Sequence, residues 1–196
     1  MKKCMFKFDF DYDKEKLLKE SQLLNYTPVN YNNFLTRSSN ETNNDNLSFV
    51  EKDKQWWDKQ TSWNASREPK SKNANLSESK RIIELFKKVC NTDKIRPSFL
   101  TQKKDTEVLL HIDPGTLCKI NLVLQGGQTP INFQGYGDEL YEVALLNITL
   151  NHSVPIQTDQ DRILFTLRFT HHSYNYVRRN LQNYFRSSKW DHTLNM

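Results

Sequence analysis

Arg162-Ile163-Leu164-Phe165-Thr166-Leu167-Arg168-Phe169 is the stretch from which the fold can be read. Ile163, Phe165, Leu167 and Phe169 form one face, and Arg162, Leu164, Thr166 and Arg168 form the other. A strand sends successive side chains to opposite faces, so this period of two predicts a β-strand with one strongly apolar side. Back to Arg96, short apolar runs alternate with Asp-Pro-Gly, Gly-Gly-Gln-Thr-Pro, Gly-Tyr-Gly-Asp and Gln-Thr-Asp-Gln-Asp, all turn-forming. Strands are expected at about 97–102, 107–113, 118–125, 130–134, 140–147, 149–154 and 161–169. Such close intervals point to an antiparallel sandwich or barrel.

The flanks read differently. Residues 13–24 set Leu17, Leu18, Leu23 and Leu24 among charges, predicting a short helix that ends near Asn25. Ser77 followed by Glu78 starts a second helix, on which Ile82, Ile83, Leu85, Phe86, Val89 and Cys90 recur at helical spacing up to Asn91. Residues 173–185, with Tyr176, Val177, Leu181, Tyr184 and Phe185, predict a closing helix. Stretches 36–46 and 64–75 are too polar to bury anything and read as loops. Between them Trp56, Trp57 and Trp63 stand in a charged, helix-like segment. They either pack this segment onto the core or line a partner or substrate surface. The expectation is one mainly β domain with flanking helices (α+β): a helical and loop part over 1–95, a β core over 96–170, and a helix and tail over 171–196.

Composition narrows the class. With 28 basic and 23 acidic residues the net charge is +5, an excess that favours a polyanionic partner without demanding one. Cys4, Cys90 and Cys118 are odd in number and in no metal-ligand spacing, so a reducing, cytoplasmic setting is expected rather than a disulfide scaffold. Charges interrupt Met1-Lys2-Lys3-Cys4-Met5-Phe6-Lys7 too early for a signal-peptide core, and no run approaches the ~18 apolar residues of a membrane span. Triplets such as Asn147-Ile148-Thr149 are what an Asn-rich chain produces by chance.

Chemistry gathers at predicted strand ends. In Leu109-Leu110-His111-Ile112-Asp113, residues two apart share a face, so His111 and Asp113 project together just before Pro114-Gly115. They can hold one metal ion, or simply make a polar strand end. His152 closes another apolar run and can add a third ligand from a neighbouring strand. Two histidines and a carboxylate on one face of a metal leave three positions open, an arrangement that favours Fe(II) over closed structural zinc. Arg162, ten residues beyond His152, opens a strand expected to pair with the His152 strand, with its guanidinium on the less apolar face. It is placed to clamp a carboxylate bidentately, with Arg168 as competitor; the plainer alternative is a solvated strand-end charge. His171, His172 and His192 show no geometric case for a second site.

His111-x-Asp113, His152 and Arg162 together resemble the signature of Fe(II)/2-oxoglutarate-dependent dioxygenases, which are built on a double-stranded β-helix, or jelly-roll, core. The runs Arg96-Pro97-Ser98-Phe99-Leu100, His111-Ile112-Asp113, Cys118 to Leu124 and Leu146 to Val154 are most similar to the aspartyl/asparaginyl β-hydroxylase and proline cis-hydroxylase branch, including small phage-type relatives. The likeness covers about residues 95–170. Aspartyl β-hydroxylases in the narrow sense lack the carboxylate ligand, so Asp113 brings the chain nearer the proline-hydroxylase arrangement. Where those hydroxylases carry a cosubstrate-binding arginine, the aligned position is Asn121, with Lys119 nearby; their small hydroxyl residue two beyond the arginine is Leu164 here.

The resemblance implies Fe(II) held by His111, Asp113 and His152, with 2-oxoglutarate chelating the metal and Arg162 binding its distal carboxylate, helped by Asn121 and Lys119. It implies hydroxylation of a C–H bond in a small-molecule or peptide substrate, amino acid or peptide side chain favoured. Two other classes remain: a non-catalytic jelly-roll binding module, and a basic nucleic-acid-binding protein resting on the Lys/Arg-rich stretches 66–88 and 178–189.

Overall fold

The computed structural model describes residues 4–28, 63–71, 73–113, 115–156 and 159–191. Eight strands follow one another in its second half: β4 (Ile95–Gln102), β5 (Val108–His111), β6 (Cys118–Gln125), β7 (Ile131–Phe133), β8 (Gly137–Glu139), β9 (Val143–Leu146), β10 (His152–Val154) and β11 (Arg162–Phe169). They fall into two antiparallel sheets, one reading β9-β6-β11-β4 and the other β5-β10-β7-β8. Counted from β4, these orders are sixth-third-eighth-first and second-seventh-fourth-fifth, which is the connectivity of a jelly-roll. The larger sheet is extended by β1 (Met5–Lys7) beside β9, and by β3 (Trp63–Pro69) and β2 (Leu24–Pro28) beyond β4.

Each of the seven expected strands has its counterpart, and β8 is an addition. Two expectations need correction. Stretch 64–75 is not wholly a loop, because β3 occupies its first part and pairs with β4 from Trp63↔Gln102 to Ser66↔Phe99. Its polar sequence shows no alternation, but pairing to an open sheet edge is made by backbone groups, whatever the side chains. The strand opened by Arg162 does not pair with the His152 strand either: β11 lies between β4 and β6, while β10 lies between β5 and β7 in the opposite sheet. Trp63 begins β3; Trp56, Trp57 and stretch 36–46 lie outside the described residues.

Three helices are described: α1 (Lys14–Gln22), α2 (Ser77–Val89) and α3 (Tyr174–Asp191). Leu17, Ile82, Phe86, Val177 and Leu181 from these helices pack on Phe99, Ile120, Leu122, Phe165 and Leu167 of the larger sheet. A separate apolar layer, with Val108, Val123, Ile131, Phe133, Ala144, Leu146 and Leu164, fills the space between the sheets. Each fully buried large side chain contributes about 1.5–3 kcal/mol. Both faces of β6 and β11 are therefore covered, which sequence alternation by itself does not reveal.

The start of α2 is held from a distance. Its cap residue Leu76 has no side-chain acceptor. Glu20 of α1, 2% exposed, supplies one: its carboxylate accepts from Glu78 N (2.7 Å), from Ser79 N (2.9 Å) and from the Ser79 hydroxyl. An anion there also meets the positive end of the helix dipole. Glu20→Ala strands two buried amides and is expected to cost about 2 kcal/mol. A chemical-denaturation midpoint would measure the loss, and an unchanged midpoint would dismiss the cap.

Candidate functional site

The register brings the two histidines together. His111 ends β5, His152 opens β10, and they are directly opposed partners with ring centroids 4.3 Å apart. Asp113 follows two residues after His111, where the strand has given way to a turn whose Asp113 amide donates to the Ile148 carbonyl at 3.3 Å. Asp113 Oδ1 then lies 3.2 Å from His111 Nε2 and 3.9 Å from His152 Nε2.

Hydrogen bonds already assign the donor atoms. His152 Nδ1 donates to the Leu150 carbonyl at 2.9 Å, which leaves the lone pair on Nε2. Nε2 is buried and has no hydrogen-bond partner. Burial first, then the charges of Lys119 and His111, push the His152 pKa down to about 3 against the pull of Asp113, so the ring is neutral at pH 7. For Asp113, burial works against ionisation, but the Lys119 ammonium and the two imidazoles outweigh it and hold the carboxyl well below the usual range. Lys119 Nζ donates to Asp113 Oδ2 at 2.7 Å, leaving Oδ1 to face the histidines.

The three side chains offer donor atoms that all lie within 4.8 Å of one another. Metal bonds of about 2.1 Å place adjacent donors about 3 Å apart and opposed donors about 4.2 Å apart, so modest side-chain rotations close this set on an ion. An ionised carboxylate, a neutral buried imidazole with an orphaned Nε2, and a second imidazole are the chemistry a divalent metal requires. The residues fit the group.

Below this cluster the space between the sheets narrows to a cavity of about 20 Å³, lined by Val108, His111, Lys119, Asn121, Ile131, Tyr141, His152, Val154, Arg162 and Leu164. Arg162 is 1% exposed, which rules out a solvated strand-end charge. Its Nη2 donates to the Tyr141 hydroxyl at 3.3 Å, its Nε has no hydrogen-bond partner, and it makes no ion pair among the described residues. Asn121 Nδ2 donates to the same hydroxyl at 3.0 Å, and its Oδ1 is buried without a partner. A buried guanidinium with no anionic partner among the described residues is costly unless an anion joins it.

Arg168, the competing clamp, lies at the opposite end of β11, paired with Lys119, and does not line the cavity. Asn121 and Lys119 both line it, but Lys119 is engaged by Asp113. Sequence reasoning missed Tyr141. Residue 141 falls within an expected strand whose alternation would place it on the face of Val143, yet the chain bends at Glu142 and turns the ring into the inner layer. It also missed Gly126. With φ +69° this residue brings the end of β6 against Arg162, where an added Cβ would stand 2.8 Å from Arg162 Cα and 3.1 Å from Asp161 O. Gly126→Ala is expected to displace the Arg162 backbone and to cost about 1–3 kcal/mol in stability. A melting curve of the variant tests this, and an unaltered curve would contradict the close approach.

His172 Nε2 bonds to Thr92 Oγ1 at 2.9 Å, and His171 Nδ1 to Thr170 Oγ1 at 2.7 Å; His192 lies outside the described residues. Neither of the two described histidines belongs to a metal-ligating cluster.

No protein-family model matches the chain, and no curated protein matches it. Among solved structures the chain is similar to an oxidoreductase of the 2OG-Fe(II) oxygenase family from Burkholderia pseudomallei, at 14% identity over 82% of this chain and 78% of that one, with a TM-score of 0.45. It is similar to a prolyl-4-hydroxylase from Pseudomonas putida at 13% identity, over 58% of this chain and 74% of that one, with a TM-score of 0.41. It is also similar to HygX from Streptomyces hygroscopicus with nickel and 2-oxoglutarate bound, at 15% identity, over 56% and 72% of the two chains, with a TM-score of 0.36. Among the described residues no helix is long and apolar enough to cross a membrane.

Proposed function

We propose that this protein is an Fe(II)- and 2-oxoglutarate-dependent oxygenase that hydroxylates a C–H bond of a small-molecule or peptide substrate, with residues 96–170 as its catalytic core. The observation that carries the reading is the pairing of two unmet demands in one cavity: an orphaned imidazole nitrogen beside a carboxylate at one end, and at the other a buried arginine with no counter-ion among the described residues. A metal answers the first and a dicarboxylate spanning the cavity answers the second.

In this reading His111 Nε2, His152 Nε2 and Asp113 Oδ1 hold the metal on one face. Bound Fe(II) with 2-oxoglutarate and dioxygen would supply the oxidising power for inserting one oxygen atom into a substrate C–H bond, the other oxygen going into succinate as carbon dioxide is lost. The chain's own groups position and exclude. Lys119 occupies the second oxygen of Asp113 and so favours one-oxygen ligation. Arg162, Tyr141 and Asn121 receive the distal carboxylate with charge-assisted hydrogen bonds; the resemblance implies this role for Arg162, with Asn121 standing where the family carries a second cosubstrate-binding arginine. Val108, Ile131, Val154 and Leu164 wall the cavity with apolar surface and keep water from the bound acid. At about 20 Å³ the closed cavity has room for about one water, so binding the acid moves lining side chains outward.

Anaerobic titration with Fe(II) and 2-oxoglutarate tests the proposal. A weak visible charge-transfer band is expected, with succinate formed once oxygen and substrate are added. Absence of the band in folded protein, or its survival in both His111→Ala and His152→Ala, would overturn the reading.

A further inference from the structure

One row of the larger sheet is unusual in charge. Arg168 of β11 is the direct cross-strand partner of Arg96 on β4 and of Lys119 on β6, so three cations lie side by side across three neighbouring strands. Register and alternation put all three on the inner face, the side that carries Asn121, Thr166 and Leu164. Like charges directly opposed in a sheet are destabilising, and strands stand only about 4.8 Å apart. Lys119 is neutralised by Asp113, but neither arginine has an ion pair among the described residues, and Arg168 Nε is buried without a hydrogen-bond partner.

The row sits at the metal end of the barrel. Lys119 reaches Asp113 itself, and the chain leaving Asp113 crosses the end of β11, where Leu117 N donates to Phe169 O at 2.8 Å. The position is open: Arg96 is exposed, Arg168 half-buried, and a Cβ added at Gly115 in the same turn would meet nothing within 4 Å. Arg162, by contrast, lies at the far end of β11 and lines the cavity, which neither Arg168 nor Arg96 does.

We propose that Arg168 and Arg96 bind an oxyanion of the substrate, a carboxylate or phosphate group, at the rim beside the metal. The inference rests on the oxygenase reading for the word substrate, while the anion site itself does not depend on a metal. Two guanidiniums on adjacent strands present paired N–H donors that match either oxyanion. The anion relieves the repulsion between them and fixes the substrate with a neutral portion over the metal. A substrate lacking the anion leaves that repulsion in place and is disfavoured.

The test is a titration of isotope-labelled, metal-free protein with acetate or methylphosphonate at constant ionic strength, followed by amide chemical shifts, with acetamide as the neutral control. Shifts are expected at residues 95–98, 116–120 and 166–169, and they should require at least fivefold more anion in Arg168→Gln and Arg96→Gln. The preferred probe identifies the class of oxyanion. Equal titration in both variants, shifts as large with acetamide, or shifts that disappear only in Arg162→Gln would overturn the proposal. A second arm adds Mn(II): broadening of the probe's methyl signal is expected because the site adjoins the metal. An intact anion titration without any Mn(II) binding leaves the oxyanion site standing and removes the oxygenase reading.

Discussion

Arg162→Met is expected to weaken 2-oxoglutarate binding about 100-fold while leaving the protein at least as stable as before. The two effects have opposite signs for one reason. In the free protein the guanidinium is buried with a single neutral acceptor, the Tyr141 hydroxyl, and an unpaired Nε. Such a charge opposes folding, and methionine of similar length removes it; a gain of about 1–3 kcal/mol is expected. In the proposed complex the same guanidinium is, among the described residues, the one cation lining the cavity that is left for the far carboxylate, because Lys119 is held by Asp113. Losing a buried, charge-assisted contact costs about 3 kcal/mol, which is the 100-fold. Calorimetric titration with 2-oxoglutarate and a denaturation curve read the two quantities separately. A variant that both binds normally and unfolds earlier would mean that Arg162 is a structural residue.

His152→Ala is expected to lower divalent-metal affinity by more than about 100-fold, beyond the range typical of residues that only support a ligand. Its Nε2 is the donor already desolvated and aimed, since Nδ1 is committed to the Leu150 carbonyl. The neutral ring, with its pKa pushed down to about 3 chiefly by burial, has no proton to surrender at pH 7. Metal that binds only the native state raises stability by about 2.7 kcal/mol at 100 times its dissociation constant. Saturating Mn(II) should therefore shift the melting of the natural protein upward by several degrees and leave that of His152→Ala unmoved. Equal shifts for the two proteins would show that the ion binds elsewhere. Acid supplies a further check with a definite sign. Because Asp113 is held well below the usual carboxylate range, its carboxylate stays ionised in the folded protein as the pH falls through 4, while the stability it contributes is complete only above the ordinary carboxylate pKa and is lost progressively as the pH falls from there through the folded-state value.

The strand pattern was legible because successive side chains of a strand point to opposite faces, and Ile163, Phe165, Leu167 and Phe169 keep one face of β11 wholly apolar in sequence, although both of its faces are covered. His111 and Asp113 were legible as a pair from their spacing of two, although the strand ends at His111 and Asp113 reaches the imidazoles from the turn that follows. Segments whose place is set by backbone pairing left no such trace. Trp63–Pro69 carries no apolar alternation, yet it pairs with β4 and carries β2 on its other side. The expected helix start at Ser77 was right in position, but its acceptor is Glu20, which no local motif could supply.

Sequence alone determined the strand alternation of an antiparallel sandwich or barrel and the residue types able to hold a metal and a carboxylate, because side-chain chemistry and strand periodicity are local properties; the jelly-roll was implied by resemblance. Tertiary structure decided which groups meet. It set His152 opposite His111 through strand pairing. It placed Arg162 in the sheet facing them rather than beside them, turned Tyr141 inward at a bend, and aligned Arg96 with Arg168 and Lys119. Those meetings depend on sheet order and register, which are fixed by the simultaneous burial of many distant side chains and are written in no single segment.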